Sequence, residues 1–150
     1  MECAVALMPF GVYLEYIMAV TVDLTANIID VRDIIERIGE IAHDLTTYSA
    51  EAFAYPELVE EHAALCAIMR ELAGNGGDEQ WEGEWYPLTL IRDHHFTDYC
   101  RELCEDIGAV PRDLPAYIAI DWDETAQNLM VDYSSVEIPC NNRWVSYFYR

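Results

Sequence analysis

Charge is the constraint that any fold of this chain must satisfy. Twenty-eight aspartates and glutamates face eight basic residues, all arginine, for a formal net charge of −20 over 150 residues. The excess is spread along the chain: residues 1–75 and 76–150 each carry −10, so no acidic tail hangs from a neutral body. Every helix and strand must therefore bury its apolar residues while turning carboxylates to water. Hydrophobic residues make up 53% of the chain, enough for a substantial core and against wholesale disorder. The length suits one compact domain or two small ones.

The periodicity shows how the two demands are met. In residues 28–45, Val31, Ile34, Ile35, Ile38, Ile41, Ala42 and Leu45 recur at spacings of three and four, which predicts a helix with one apolar face. Asn27 is its expected N-cap. Asp30, Asp33, Glu36, Glu40 and Asp44 fall on the opposite arc. A second helix is expected over 56–72, with Pro56 in its first turn, a stripe of Leu58, His62, Leu65, Met69 and Leu72, and Gly74-Asn75-Gly76-Gly77 as its stop. Residues 78–84 read as an acidic linker carrying Asp78, Glu79, Glu82 and Glu84, followed by a strand over 85–91.

A third helix is expected over 96–107, ended by Gly108. Its outer face carries Asp98, Glu102, Glu105 and Asp106, while Phe96, Cys100, Leu103, Cys104 and Ile107 share the inner arc. Asp121 and Glu124 have the spacing of a capping box and open a fourth helix to about residue 131. Residues 134–138 and 143–149, around Pro139-Cys140-Asn141-Asn142, read as a closing β-hairpin. Upstream, residues 12–24 are β-branched and aromatic enough for one or two strands, after a break at Pro9-Phe10-Gly11. Met18 opens that segment as a natural start, with residues 1–17 as an extension. The expected class is α+β: small antiparallel sheets, about four amphipathic helices and a C-terminal β-hairpin. The expected division is 1–77, a strand region with two acidic helices, and 78–150, a second subdomain.

The chemistry is limited by what is missing. Without lysine there is no Schiff-base or Walker-type site, and no Gly-rich phosphate loop, nucleophile elbow or paired zinc-histidine motif occurs. His94, His95, Cys100 and Cys104 cluster in sequence, but their spacing matches no common zinc motif and both cysteines lie on the apolar arc. Asp121-Trp122-Asp123 resembles a magnesium-binding pair, yet it opens a helix, where acids act as caps. His43 and His62 stand alone on helices. We expect no catalytic residue, metal or cofactor. Five cysteines in unpaired spacing argue against a disulfide framework and for a reducing cytoplasm. No apolar run reaches the roughly 18 residues of a transmembrane helix, and the opening stretch lacks the basic region of a signal peptide.

A chain this acidic repels DNA, RNA and anionic membranes, and attracts a cationic surface. Solubility alone asks for a net charge of only about 2–8. Adaptation to high salt would give a similar charge. From Asp30 to Asp44 the carboxylates recur about every 5 Å of helix axis, against about 3.4 Å between phosphates along one DNA strand. The thirteen acids of the two helices and the linker thus form a candidate phosphate-like array for a basic nucleic-acid channel. An acidic adaptor or chaperone for a basic protein is the alternative of another class, and a metal-dependent enzyme a third.

The run from Tyr86-Pro-Leu-Thr to Asp106-Ile-Gly108 is followed by Asp113-Leu-Pro, Ile120-Asp-Trp-Asp-Glu-Thr-Ala126 and Val131-Asp-Tyr-Ser-Ser-Val-Glu137. In order and spacing this resembles the C-terminal region of the ArdA antirestriction family, over roughly 65 residues. The resemblance implies a DNA mimic borne by a phage or other mobile element. Such a protein acts in the bacterial cytoplasm, occupies the DNA-binding cleft of a type I restriction–modification enzyme and forms a dimer. The family's opening motif has no counterpart in residues 1–83. A CRISPR effector, whose nucleic-acid channel is also basic, is the alternative target.

Overall fold

The computed structural model describes residues 22–49, 51 and 54–150. It is an α+β fold with elements β1 (Ile28–Asp30), α1 (Val31–Thr47), α2 (Tyr55–Leu72), β2 (Asp78–Trp81), β3 (Glu84–Tyr86), β4 (Thr89–Arg92), a 3-10 turn (Asp93–His95), α3 (Phe96–Asp106), α4 (Trp122–Met130), β5 (Ser134–Cys140) and β6 (Arg143–Tyr149). Four strands form an antiparallel sheet in the order β1-β4-β6-β5, while β2 and β3 pair as a separate hairpin.

Successive strand residues point to opposite faces of a sheet, and here both faces are covered. Ile29, Leu90, Val136, Ile138, Tyr147 and Tyr149 pack with Val31, Ile34, Ile38 and Ile41 of α1 and Leu58, Leu65, Ile68, Met69 and Leu72 of α2. Their neighbours Ile91 and Phe148 face the other way, against Phe96 and Cys100 of α3 and Ala126 of α4. The molecule is a three-layer sandwich: α1 and α2, the sheet, then α3 and α4. Residues on both sides of position 77 share the sheet and the larger core, so the expected division into 1–77 and 78–150 coincides with no break in packing.

Several expected boundaries move, each because a distant partner intervenes. The first helix starts at Val31 instead of 28, because Ile28–Asp30 pairs with Thr89–Ile91 as an edge strand. The cap is consequently Asp30, whose carboxylate accepts from the Arg32 N–H at 2.9 Å. Asn27 contacts His94 Nε2 through its side-chain oxygen, at 3.0 Å. Ala42, expected on the buried face, is exposed. Val22–Leu24, expected to be strand, run into a turn closed by Ala26 N–H donating to Asp23 O at 3.2 Å; the rest of the expected strand region lies outside the described residues.

The expected acidic linker is ordered as the β2–β3 hairpin, turned at Glu82 and Gly83, both with positive φ. The single strand expected over 85–91 is split at Pro87, which has no N–H to donate to a ladder, so β3 and β4 join different sheets. Gly77, at positive φ, lets the chain entering β2 lie directly against the end of β3: a Cβ there would be 1.7 Å from Tyr86 O. Helix α3 ends as expected at Gly108, with the Gly108 and Ala109 N–H groups donating to Glu105 O and Cys104 O at 3.2 and 2.9 Å, a Schellman closure. Ile107 emerges from its inner arc to 69% exposure. Asp121 caps α4, accepting from Glu124 N–H at 3.0 Å. The closing hairpin is tighter than expected: β5 continues to Cys140 and a two-residue turn remains, with Asn141 and Asn142 both at positive φ.

Candidate functional site

The thirteen expected carboxylates divide into three groups. On α1, Asp33 and Glu36 are exposed, and Glu40 and Asp44 are half-buried. Asp30 is set apart from them, at the end of β1. Its carboxylate is forked onto Arg32, whose hydrogen bond holds it below the ordinary carboxylate value despite partial burial. On the hairpin, Asp78, Glu79, Glu82 and Glu84 are all exposed. On α3, Asp98, Glu102, Glu105 and Asp106 are exposed along the outer face, one turn apart or less.

The fold keeps these groups apart in a defined way. Helices α1 and α3 lie on opposite faces of the central sheet, so their acidic stripes point away from each other. The hairpin belongs to the α1 side, where Tyr86 and Trp81 pack on the larger core. A flat surface can meet one stripe; only a partner that wraps the molecule meets both.

Few cations offset this charge. Glu40 is 3.3 Å from Arg37 Nη1, and Asp98 is 3.7 Å from Arg101 and 4.0 Å from His95. With Asp30, these are the members of the array that stand in ion pairs; the others have no arginine or histidine partner within 4.0 Å among the described residues. Arg92 is spent on the fold, its Nη1 donating to Thr25 O at 2.7 Å. Arg150 lies over the Tyr133 ring, 5.6 Å from its centroid.

Sequence reasoning passed over Arg37. It is 2% exposed within α1 and makes a two-pronged pair with Glu61 of α2, Nε to Oε1 and Nη2 to Oε2, both at 2.8 Å. Those hydrogen bonds raise the guanidinium's pKa against the opposing effect of burial. The signal was present in the pattern. Arg37 lies three residues after Ile34 and four before Ile41, on the apolar arc, where only a paired charge is tolerated.

The clustered histidines and cysteines do not come together. Cys100 is fully buried, and burial pushes its thiol up to about 11, whereas His94 is exposed and turned toward Asn27. Among the described residues no three His, Cys, Asp or Glu side chains converge as a metal site requires, and no helix is long and apolar enough to cross a membrane. Comparison with known proteins adds nothing: no family model, no curated protein and no solved structure matches this chain.

Proposed function

We propose that this protein is a DNA mimic that binds the basic DNA-binding cleft of a defence enzyme and excludes DNA from it. It acts by occupancy, with no reaction catalysed. One observation carries the reading: carboxylates that mostly lack a cationic partner among the described residues are mounted on a packed three-layer scaffold, on both of its outer helical layers. A rigid array loses little conformational entropy on docking, and its charge speeds encounter with a cationic cleft. The resemblance of residues 86–150 to the ArdA family favours a type I restriction–modification enzyme as the target, with a CRISPR effector as the alternative.

The test is competition. Purified protein is added to a type I restriction enzyme bound to labelled DNA and, in parallel, to a CRISPR effector. Displacement of DNA from the restriction enzyme alone is the expected result. Binding to either enzyme while its DNA stays in place would defeat the mimicry reading and indicate an acidic adaptor.

A further inference from the structure

Among the described residues, strand β5 is an edge of the central sheet, paired on one side with β6. The tight Asn141–Asn142 turn makes Cys140 and Arg143 a hydrogen-bonded pair, so Ile138 and Val136 also bond inward. By alternation, the N–H and C=O groups of Ser135 and Glu137 point outward from the sheet, and Pro139 offers a carbonyl alone. Next to this edge, α2 turns small exposed residues, Ala64 and Ala67, over the buried Ile68. Helix and strand bound an open groove of about 490 Å³, with Glu71 and Glu137 on its walls and Trp144, 69% exposed, beside them.

We infer that this groove binds an extended, basic segment of a partner protein, which adds to the sheet as a fifth strand along β5. The edge supplies main-chain donors and acceptors, as in other strand-addition sites. Alternate side chains then fall into two environments. Those turned toward α2 enter the groove against Ala64, Ala67 and Ile68, with Glu71 on the same helix, and arginine or lysine side chains on the opposite face meet Glu137 and the Trp144 ring, which attracts cations. Charge decides between occupants. A second copy pairing antiparallel here would bring two Glu137 carboxylates and two chains of −20 together. A cationic strand meets no such penalty. The site is separate from the acidic stripes of α1 and α3 and stands whether or not they mimic DNA.

The probe is a seven-residue peptide of alternating arginine and valine, titrated into the ¹⁵N-labelled full chain. Expected are amide shifts concentrated at Ser135 and Glu137, with the Trp144 indole moving too. Affinity should fall about tenfold or more for the same peptide N-methylated at alternate residues, which keeps the charge and removes strand pairing. The Ala67→Trp variant, which fills the groove from an exposed helix position, should lose binding similarly. Equal binding of the methylated peptide, or shifts spread over α1 and α3, would reduce the effect to nonspecific charge and overturn the proposal. Slow exchange of the Ser135 and Glu137 amides before any peptide is added would also overturn it, by showing the edge already covered by residues 1–21 or a second copy.

Discussion

Arg37 and Glu61 clamp α1 to α2 through two parallel hydrogen bonds of 2.8 Å, with the guanidinium buried and the carboxylate partly open to water. The asymmetry makes the two halves of the pair unequal. In Glu61→Gln the buried cation keeps only Glu40, at 3.3 Å, and we expect a loss of about 2–3 kcal/mol, below the full penalty for a stranded buried charge because Glu40 remains. In Arg37→Met the methionine fills the apolar arc and the freed Glu61 turns to solvent, at a cost of about 1 kcal/mol or less. Urea melts of the two variants check this; a larger loss for Arg37→Met would refute it.

Asp30 stabilises α1 as a cap and through Arg32. Asp30→Ala should cost about 1 kcal/mol at pH 7. The folded carboxyl is held below its ordinary 3.8. Its contribution is therefore complete above that pH and disappears as pH falls through the lower folded value. Denaturation of both proteins at pH 7 and pH 3 should show the gap between them narrowing in acid. A constant gap would mean that the charge of Asp30 is irrelevant.

Tyr147 is fully buried, and its hydroxyl is shared between Leu24 O and Ala26 O at 2.9 and 2.8 Å, tying residues 24–26 to the sheet. Tyr147→Phe should lose about 1–2 kcal/mol, with faster amide exchange confined at first to residues 22–27. Burial pushes the Tyr133 and Tyr147 phenols up to about 12. The unfolded chain ionises these groups near 10, so the stability they confer is complete below pH 10 and declines as pH rises from there toward 12. Spectroscopic titration should show these two tyrosines ionising well above pH 10 while the protein stays folded; ionisation near 10 in the folded protein would contradict the burial.

Self-repulsion among the carboxylates should make stability rise with salt at neutral pH while binding to a basic target weakens, because screening acts on both with opposite consequences. A melting temperature that falls from low salt to about 0.2 M, or an affinity indifferent to salt over that range, would show that charge is not the dominant surface term.

Neutralising the stripes separates mimicry from mere acidity. Asp33→Asn, Glu36→Gln and Asp44→Asn on α1, and Asp98→Asn, Glu102→Gln, Glu105→Gln and Asp106→Asn on α3, leave the apolar cores intact. They should leave melting unchanged or slightly raised, since like charges at i,i+4 cost a few tenths of a kcal/mol. Competition with DNA should fall stepwise within each set. Because the sets lie on opposite faces of the sheet, their effects should add. If both sets together leave DNA competition untouched, these faces are solvated surface only.

Local periodicity and capping chemistry alone determined much of this protein. The apolar arcs of α1 and α2, the stop at Gly108, the Asp121 cap and the closing hairpin depend on neighbours within a few residues, as does the placing of nearly every acid on a solvent face. Tertiary structure decided what depends on partners far along the chain. Ile28–Asp30 is a strand because Thr89–Ile91 lies beside it, although its sequence continues a helical pattern. Residues 78–84 look like a linker until Tyr86 and Trp85 fold back to pair with Asp78 and Glu79. Arg37 breaks the apolar arc, and only the approach of Glu61 makes its burial tolerable. The same packing sets the acidic stripes of α1 and α3 back to back across the sheet: helical spacing fixes which side of a helix is wet, and the sheet between two helices fixes the direction in which that side faces.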